Sequence, residues 1–160
     1  MASINQVASN LEKKISNWDF KRAIEHSDNE SKTRDYLIEP LFNLLGYNKM
    51  DHYSHEYSLQ ISKGQVKKID MVVSITGKKP SMVIECKKAN SNLTNKNRIQ
   101  LNEYFENQKS SKIGILTNGI IYEFYSVKWN DENKLNETSI NLKDNLKSVK
   151  INYCFIVIAF

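Results

Sequence analysis

Asp70, Glu85 and Lys87 are the residues of this 160-residue chain whose types and spacing suit chemistry. They stand in KKIDMVVSITGKKPSMVIECKK, residues 67–88, where two apolar runs read as β-strands. Asp70 opens the first run, and Glu85 and Lys87 close the second. A carboxylate taken out of water without a partner costs roughly several kcal/mol, so acids at the ends of apolar strands need a reason. If Thr76 to Lys79 form the loop, Ile75 faces Pro80 and each outward step preserves the sum of the paired numbers. Asp70 then lies opposite Glu85, their Cβ atoms about 4.5–5.5 Å apart on one face of the sheet. Lys87 points to that same face. The Cys86 side chain points away, while its carbonyl stays near. A one-residue slip of register would undo the arrangement.

Two facing carboxylates need a compensating cation. A divalent metal with oxygen ligands is one answer, and Mg²⁺ suits two carboxylates, a backbone carbonyl and several waters. Lys87 could orient or deprotonate a metal-bound water, or stabilise charge building on a phosphate. That combination suits phosphodiester hydrolysis. The competing reading is a local ion pair on a solvent-facing sheet surface, worth about 0–1 kcal/mol.

The surrounding pattern predicts the elements that must hold these residues. Residues 5–25 have helical spacing, with Val7, Leu11, Ile15 and Trp18 on one side. Ser27-Asp28-Asn29-Glu30 has the form of a capping box, which by itself would account for Glu30. The helix that follows carries Leu37, Leu41, Leu44 and Leu45, should kink or restart at Pro40, and closes at Gly46. From about residue 52 the period becomes two, and 52–61, 66–75 and 81–87 read as consecutive strands. Residues 95–109 return to helical spacing, with Ile99, Leu101, Tyr104 and Phe105 as apolar contacts. Strands 112–118 and 120–127 meet at Asn118-Gly119, a hairpin signal. Residues 130–147 are polar and ambiguous, and INYCFIVIAF at 151–160 looks like a strand. A helix between the third and fourth strands permits parallel pairing there. The expected architecture is an α/β sandwich, a mixed sheet with helices covering its faces.

Composition bounds the function. The 40% apolar and 26% charged fractions are those of a folded globular protein. The length suggests a single domain over 1–160, with 130–160 the least certain part. No apolar run reaches the roughly 18–20 residues that span a bilayer, and the N-terminus has no apolar signal core, so a cytoplasmic location is expected. Cys86 and Cys154 make neither a disulfide framework nor a metal knuckle. A net charge of +5 is compatible with a polyanionic partner and decides nothing alone. His52 and His55 read as surface histidines on opposite faces of a strand. Lys63, Lys67, Lys68, Lys78, Lys79, Lys88, Lys96 and Arg98 surround the candidate site in sequence, most of them as ordinary solvated charges.

Taken together, these motifs resemble a family. Asp70 followed by Glu85-Cys86-Lys87 on the next strand resembles the PD-(D/E)xK nuclease signature, with Ile69 in place of the proline. Gln100-Leu-Asn-Glu-Tyr104 is similar to the Q-x-x-x-Y motif of the exonuclease-like branch. Glu30-Ser-Lys-Thr-Arg34, Ile38-Glu-Pro40-Leu41 and Leu45-Gly46-Tyr47 resemble the opening helix of the N-terminal nuclease domain of type I restriction enzyme R subunits. Leu116-Thr-Asn-Gly119 and Tyr122-Glu-Phe-Tyr125 are similar to that domain's hairpin. The resemblance covers roughly 28–127.

It implies a restriction-endonuclease-like fold with a central mixed sheet flanked by helices on both faces. It also implies a Mg²⁺-dependent DNA endonuclease, with Mn²⁺ as substitute. Asp70 and Glu85 would be metal ligands with the Cys86 carbonyl, and Lys87 the catalytic lysine. Glu30 would complete the site directly or through water, and Gln100 and Tyr104 would face the site and the DNA. DNA is the implied partner, with a homodimer or the subunits of a restriction complex. Without a Walker-type loop the 160 residues are not expected to translocate on DNA by themselves. The alternative is a catalytically silent nuclease-like module that binds DNA or a partner subunit.

Overall fold

The computed structural model describes residues 9, 13–75, 79–127 and 135–145. The helix expected over 5–25 is broken within them. Residues 13–16 are helical, and α1 (Phe20–His26) starts afresh from Asp19, whose carboxylate accepts the Arg22 amide at 3.1 Å. An aspartate cap favours a new start over continuation.

The expected capping box does not form either. The Ser27 hydroxyl closes α1 by donating to the Ala23 carbonyl at 2.7 Å. Asn29 caps the next helix instead, accepting the Lys32 amide at 2.9 Å. Glu30 is therefore the first residue of α2, and its carboxylate is not spent on the cap. α2 runs as three consecutive stretches: α-helical Glu30–Thr33, π-helical Arg34–Ile38 and α-helical Glu39–Leu44. The π-turn is how the helix accommodates Pro40. Its widened turn bonds the Glu39 amide to the Arg34 carbonyl five residues back, just ahead of the ring that would otherwise clash. The Tyr47 amide to the Phe42 carbonyl at 3.0 Å and Gly46 at φ +97° then end the helix in a Schellman motif, as the glycine suggested.

Six strands follow: β1 (Tyr53–Ser62), β2 (Gln65–Val73), β3 (Met82–Cys86), β4 (Ile113–Thr117), β5 (Ile121–Val127) and β6 (Leu135–Asn141), in that order across one sheet. Neighbours are antiparallel except β3 and β4. These two are parallel because α3 (Asn95–Asn107) crosses between them. Thr94 caps α3 in a capping box with Asn97. β6, with its polar LNETSIN, carries no apolar alternation, so the sequence left it ambiguous; the short α4 (Leu142–Asn145) follows it. The strand expected at 151–160 and the loop at 76–78 lie outside the described residues.

Two cores sandwich the sheet. Ile15, Phe20 of α1 and Leu37, Ile38, Leu41 and Phe42 of α2 pack on Met71, Val73, Met82, Ile84 and Cys86. Leu101 and Tyr104 of α3 pack on Val72, Val83 and Leu116 from the other side. Alternation along β3 thus turns Cys86 toward α2 and Glu85 toward α3. Ile99, expected as an apolar contact of α3, is 70% exposed.

Candidate active site

β2 and β3 pair Met71 with Ile84, Val72 with Val83 and Val73 with Met82. These pairs follow the register expected from a four-residue loop and end just before Asp70 and Glu85. The Cys86 amide donates to Asp70 Oδ2 at 2.7 Å, so the main chain beside Glu85 grips the opposing carboxylate. Lys87 Nζ donates to Glu85 Oε1 at 2.6 Å and stands 3.6 Å from Glu30 Oε1. Glu85 is 1% exposed, and its Oε2 is buried with no hydrogen-bond partner.

This geometry sets the charges. Burial and then the Asp70 charge push Glu85 up to about 7, against the pull of Lys87. Burial also raises Asp70, with the Cys86 amide and Lys87 opposing it. For Lys87, burial alone would lower the pKa, but Glu85, Glu30 and Asp70 outweigh it and hold the ammonium above its ordinary value. The Cys86 thiol, fully enclosed on the α2 side, is pushed well up and is no nucleophile.

α3 supplies the floor. The Tyr104 hydroxyl donates its one proton to the Lys68 carbonyl at 3.0 Å, and Gln100 Nε2 donates to that hydroxyl at 2.8 Å. The two motif residues, one turn apart, are thus a linked pair bracing β2 two residues before Asp70. Tyr104 is 1% exposed and beside Glu85, so it is core and site neighbour at once.

Several residues around the site carried no readable signal. Glu56 lies between His55, paired with Met71, and Tyr57, paired with Ile69, and takes φ +52°, a left-handed backbone uncommon outside glycine. Its carboxylate lies 3.9 Å from Arg34 Nη1 and 3.5 Å from Lys68 Nζ. His55 is not the surface histidine expected: its side chain is 12% exposed, with Nε2 2.9 Å from Glu39 Oε1. The period-two pattern cannot show that α2 covers this face. Of the lysines and arginines around the site, Lys67 is paired with Glu103 at 2.5 Å and Arg98 with Glu123 at 2.6 Å, so both already serve the fold.

The hairpin motif positions the turn after Lys87. The Lys87 amide donates to the Thr117 carbonyl at 2.7 Å, and Asn118 Nδ2 donates to the Ser91 carbonyl at 2.8 Å. Gly119, at φ +77°, opens the two-residue turn Gly119-Ile120, one residue later than Asn118-Gly119 suggested.

Two neighbouring carboxylates, one of them with an orphaned buried oxygen, are donors of the kind a hard cation takes, and to that extent the residues fit Mg²⁺. Glu30 meets Lys87 rather than the acid pair. Among the described residues no group of three histidine, cysteine, aspartate or glutamate side chains stands ready around one point. Among the same residues no helix is long and apolar enough to cross a membrane.

A mixed sheet with helices on both faces, holding one acid within β2 rather than at its start, a second near the end of β3 and a lysine just after it, defines a restriction-endonuclease-like domain. The chain belongs to the family described as type I restriction enzyme R protein N terminus (HSDR_N), whose model matches residues 29–140. That match runs past the 28–127 expected and takes in nearly all of β6. Comparison with curated proteins finds no match, and comparison with solved structures finds none.

Proposed function

We propose that the domain is a metal-dependent deoxyribonuclease of the restriction type, an endonuclease that hydrolyses phosphodiester bonds of DNA. The observation that supports it is the Asp70–Glu85 pair, with the Lys87 ammonium on one Glu85 oxygen, the other oxygen buried, and the Tyr104 hydroxyl beside the carboxylate. Asp70, Glu85 and the Cys86 carbonyl would hold Mg²⁺ or Mn²⁺, with Glu30 reaching the site across Lys87. When bound, the cation supplies a water of lowered pKa and neutralises phosphate charge. The chain's own residues do the rest. The Cys86 amide fixes the Asp70 oxygen. Lys87, held protonated, is suited to stabilise charge developing on a phosphate oxygen rather than to act as base. Gln100 and Tyr104 hold β2 in place beneath the acids. Cutting both strands of a duplex needs two such sites, so a homodimer or other restriction-complex subunits complete the reading.

The test is plasmid nicking with Mg²⁺ or Mn²⁺ by wild type, Asp70→Ala and Lys87→Ala. Loss of nicking in both variants is expected; equal activity in all three overturns the assignment. A second reading, a silent nuclease-like module that binds DNA or a partner subunit, draws on the absence of a three-ligand cluster among the described residues. Salt-dependent DNA binding by a wild type that never nicks would select it.

A further inference from the structure

We infer that Thr33 is a positioning residue that sets Glu30 against Lys87, an inference resting on the nuclease reading of that site. Thr33 is 0% exposed and lies one helical turn past Glu30. Its hydroxyl donates to the Asn29 carbonyl at 2.8 Å, the usual back-bond of a helical threonine. The same oxygen accepts the buried amide of Ala89 at 2.9 Å, across 56 residues of sequence. Asn29 is the cap of the helix that begins with Glu30, and Ala89 is two residues beyond Lys87.

One buried hydroxyl therefore ties the start of α2 to the segment leaving β3. The Lys87 amide is already fixed to Thr117 on the other side, so the Thr33 bond removes the remaining freedom of that segment relative to α2. No such bond joins Glu30 to the acid pair, and its 3.6 Å approach to Lys87 depends on this link between backbones. The Thr33 methyl packs separately, 3.1 Å from where a Cβ on Gly119 would lie. Hydroxyl and methyl can be removed one at a time. Thr33→Val keeps the shape and strands the Ala89 amide, and Thr33→Ser keeps the bond and loses the methyl.

The experiment compares wild type, Thr33→Val and Thr33→Ser. It reads amide hydrogen exchange of the metal-free proteins and single-turnover cleavage of plasmid DNA with Mn²⁺. In Thr33→Val, exchange at Ala89 should quicken at least about tenfold while β5 amides stay protected. Cleavage should slow about ten- to a hundredfold with DNA affinity within about twofold, as misplaced groups do. Thr33→Ser should restore both. Wild-type exchange and cleavage in Thr33→Val overturn the inference, and so does a Thr33→Ser protein as slow as Thr33→Val with Ala89 still protected. If Thr33→Val does not fold, Thr33→Ser decides: it must keep wild-type protection and rate, and loss of both overturns the role. Wild type that never cleaves overturns the nuclease reading instead. The exchange comparison then still decides whether the hydroxyl fixes the segment after Lys87.

Discussion

Lys87 donates to one oxygen of Glu85 across 2.6 Å and leaves the other, also buried, without a hydrogen-bond partner. Half of the carboxylate is compensated and half is not, beside a second acid on the facing strand. The folded metal-free protein therefore holds a proton at this pair that the unfolded chain would release.

Stability should fall as pH rises. Glu85 is raised from 4.5 to about 7, so its contribution is fully present below about 4.5 and is lost as pH climbs through 7. Asp70 is raised too and acts in the same direction. The Glu85 shift alone corresponds to about 3 kcal/mol, or about 6–12 °C in a domain of this size. Between pH 5 and 8, the thermal midpoint of the metal-free wild type should fall by that much more than the midpoint of Glu85→Gln. Parallel curves for the two proteins would rule the mechanism out.

Magnesium should reverse that loss. Binding to the folded form alone adds about 2.7 kcal/mol when the ion is at a hundred times its dissociation constant. At pH 8 a titration with Mg²⁺ or Mn²⁺ should raise the midpoint by several degrees, and at pH 5 by less, because protons compete for the same oxygens. Asp70→Asn should abolish the rise. A rise of equal size in that variant would place the ion elsewhere.

Tyr104→Phe should cost more than the loss of a surface hydroxyl. It leaves the Lys68 carbonyl without its donor and Gln100 without its acceptor, about 1–3 kcal/mol by urea denaturation. Because Lys68 precedes Asp70 by two residues, nicking should fall as well. Gln100→Ala should do less on both counts. Wild-type stability in Tyr104→Phe would mean that the Lys68 carbonyl is satisfied by water.

What the sequence made legible was whatever repeats with the backbone period. Alternating apolar residues specified β2 and β3, and with a turn length they specified the register of Met71 with Ile84, since a slip would have moved both off their core. Pro40 announced a disturbance of α2, though not its form as a π-turn. What stayed hidden depended on choices between near-equal local partners. Ser27 could cap α2 or close α1, and only packing decided for Asn29. Glu56, Thr33 and His55 owe their roles to α2 lying against β1 and the turn after β3, contacts that no short window of sequence contains. β6 carries only Leu135 and Ile140 as apolar residues, without alternation, and its pairing with β5, not its own pattern, makes it a strand.

Gly119→Ala tests the packing behind that turn. At φ +77° an alanine would carry a left-handed backbone, about 1–2 kcal/mol. Its Cβ would lie 2.7 Å from Leu37 Cβ, and Leu37 is 0% exposed in the core with no room to yield. Overpacking of this kind adds about 1–3 kcal/mol. The variant should therefore lose about 2–5 kcal/mol by urea denaturation, with the m-value unchanged. A second substitution, Leu37→Ala, removes Cδ1, the other close atom at 2.8 Å, and opens space into which the remaining Cβ can shift. The double variant should lose less than the sum of the two single losses, because Gly119 and Leu37 are in contact. Strict additivity of the two losses would show that the β4–β5 turn does not rest on α2, and Thr33 would then lose one of the two contacts that hold it beside Glu30.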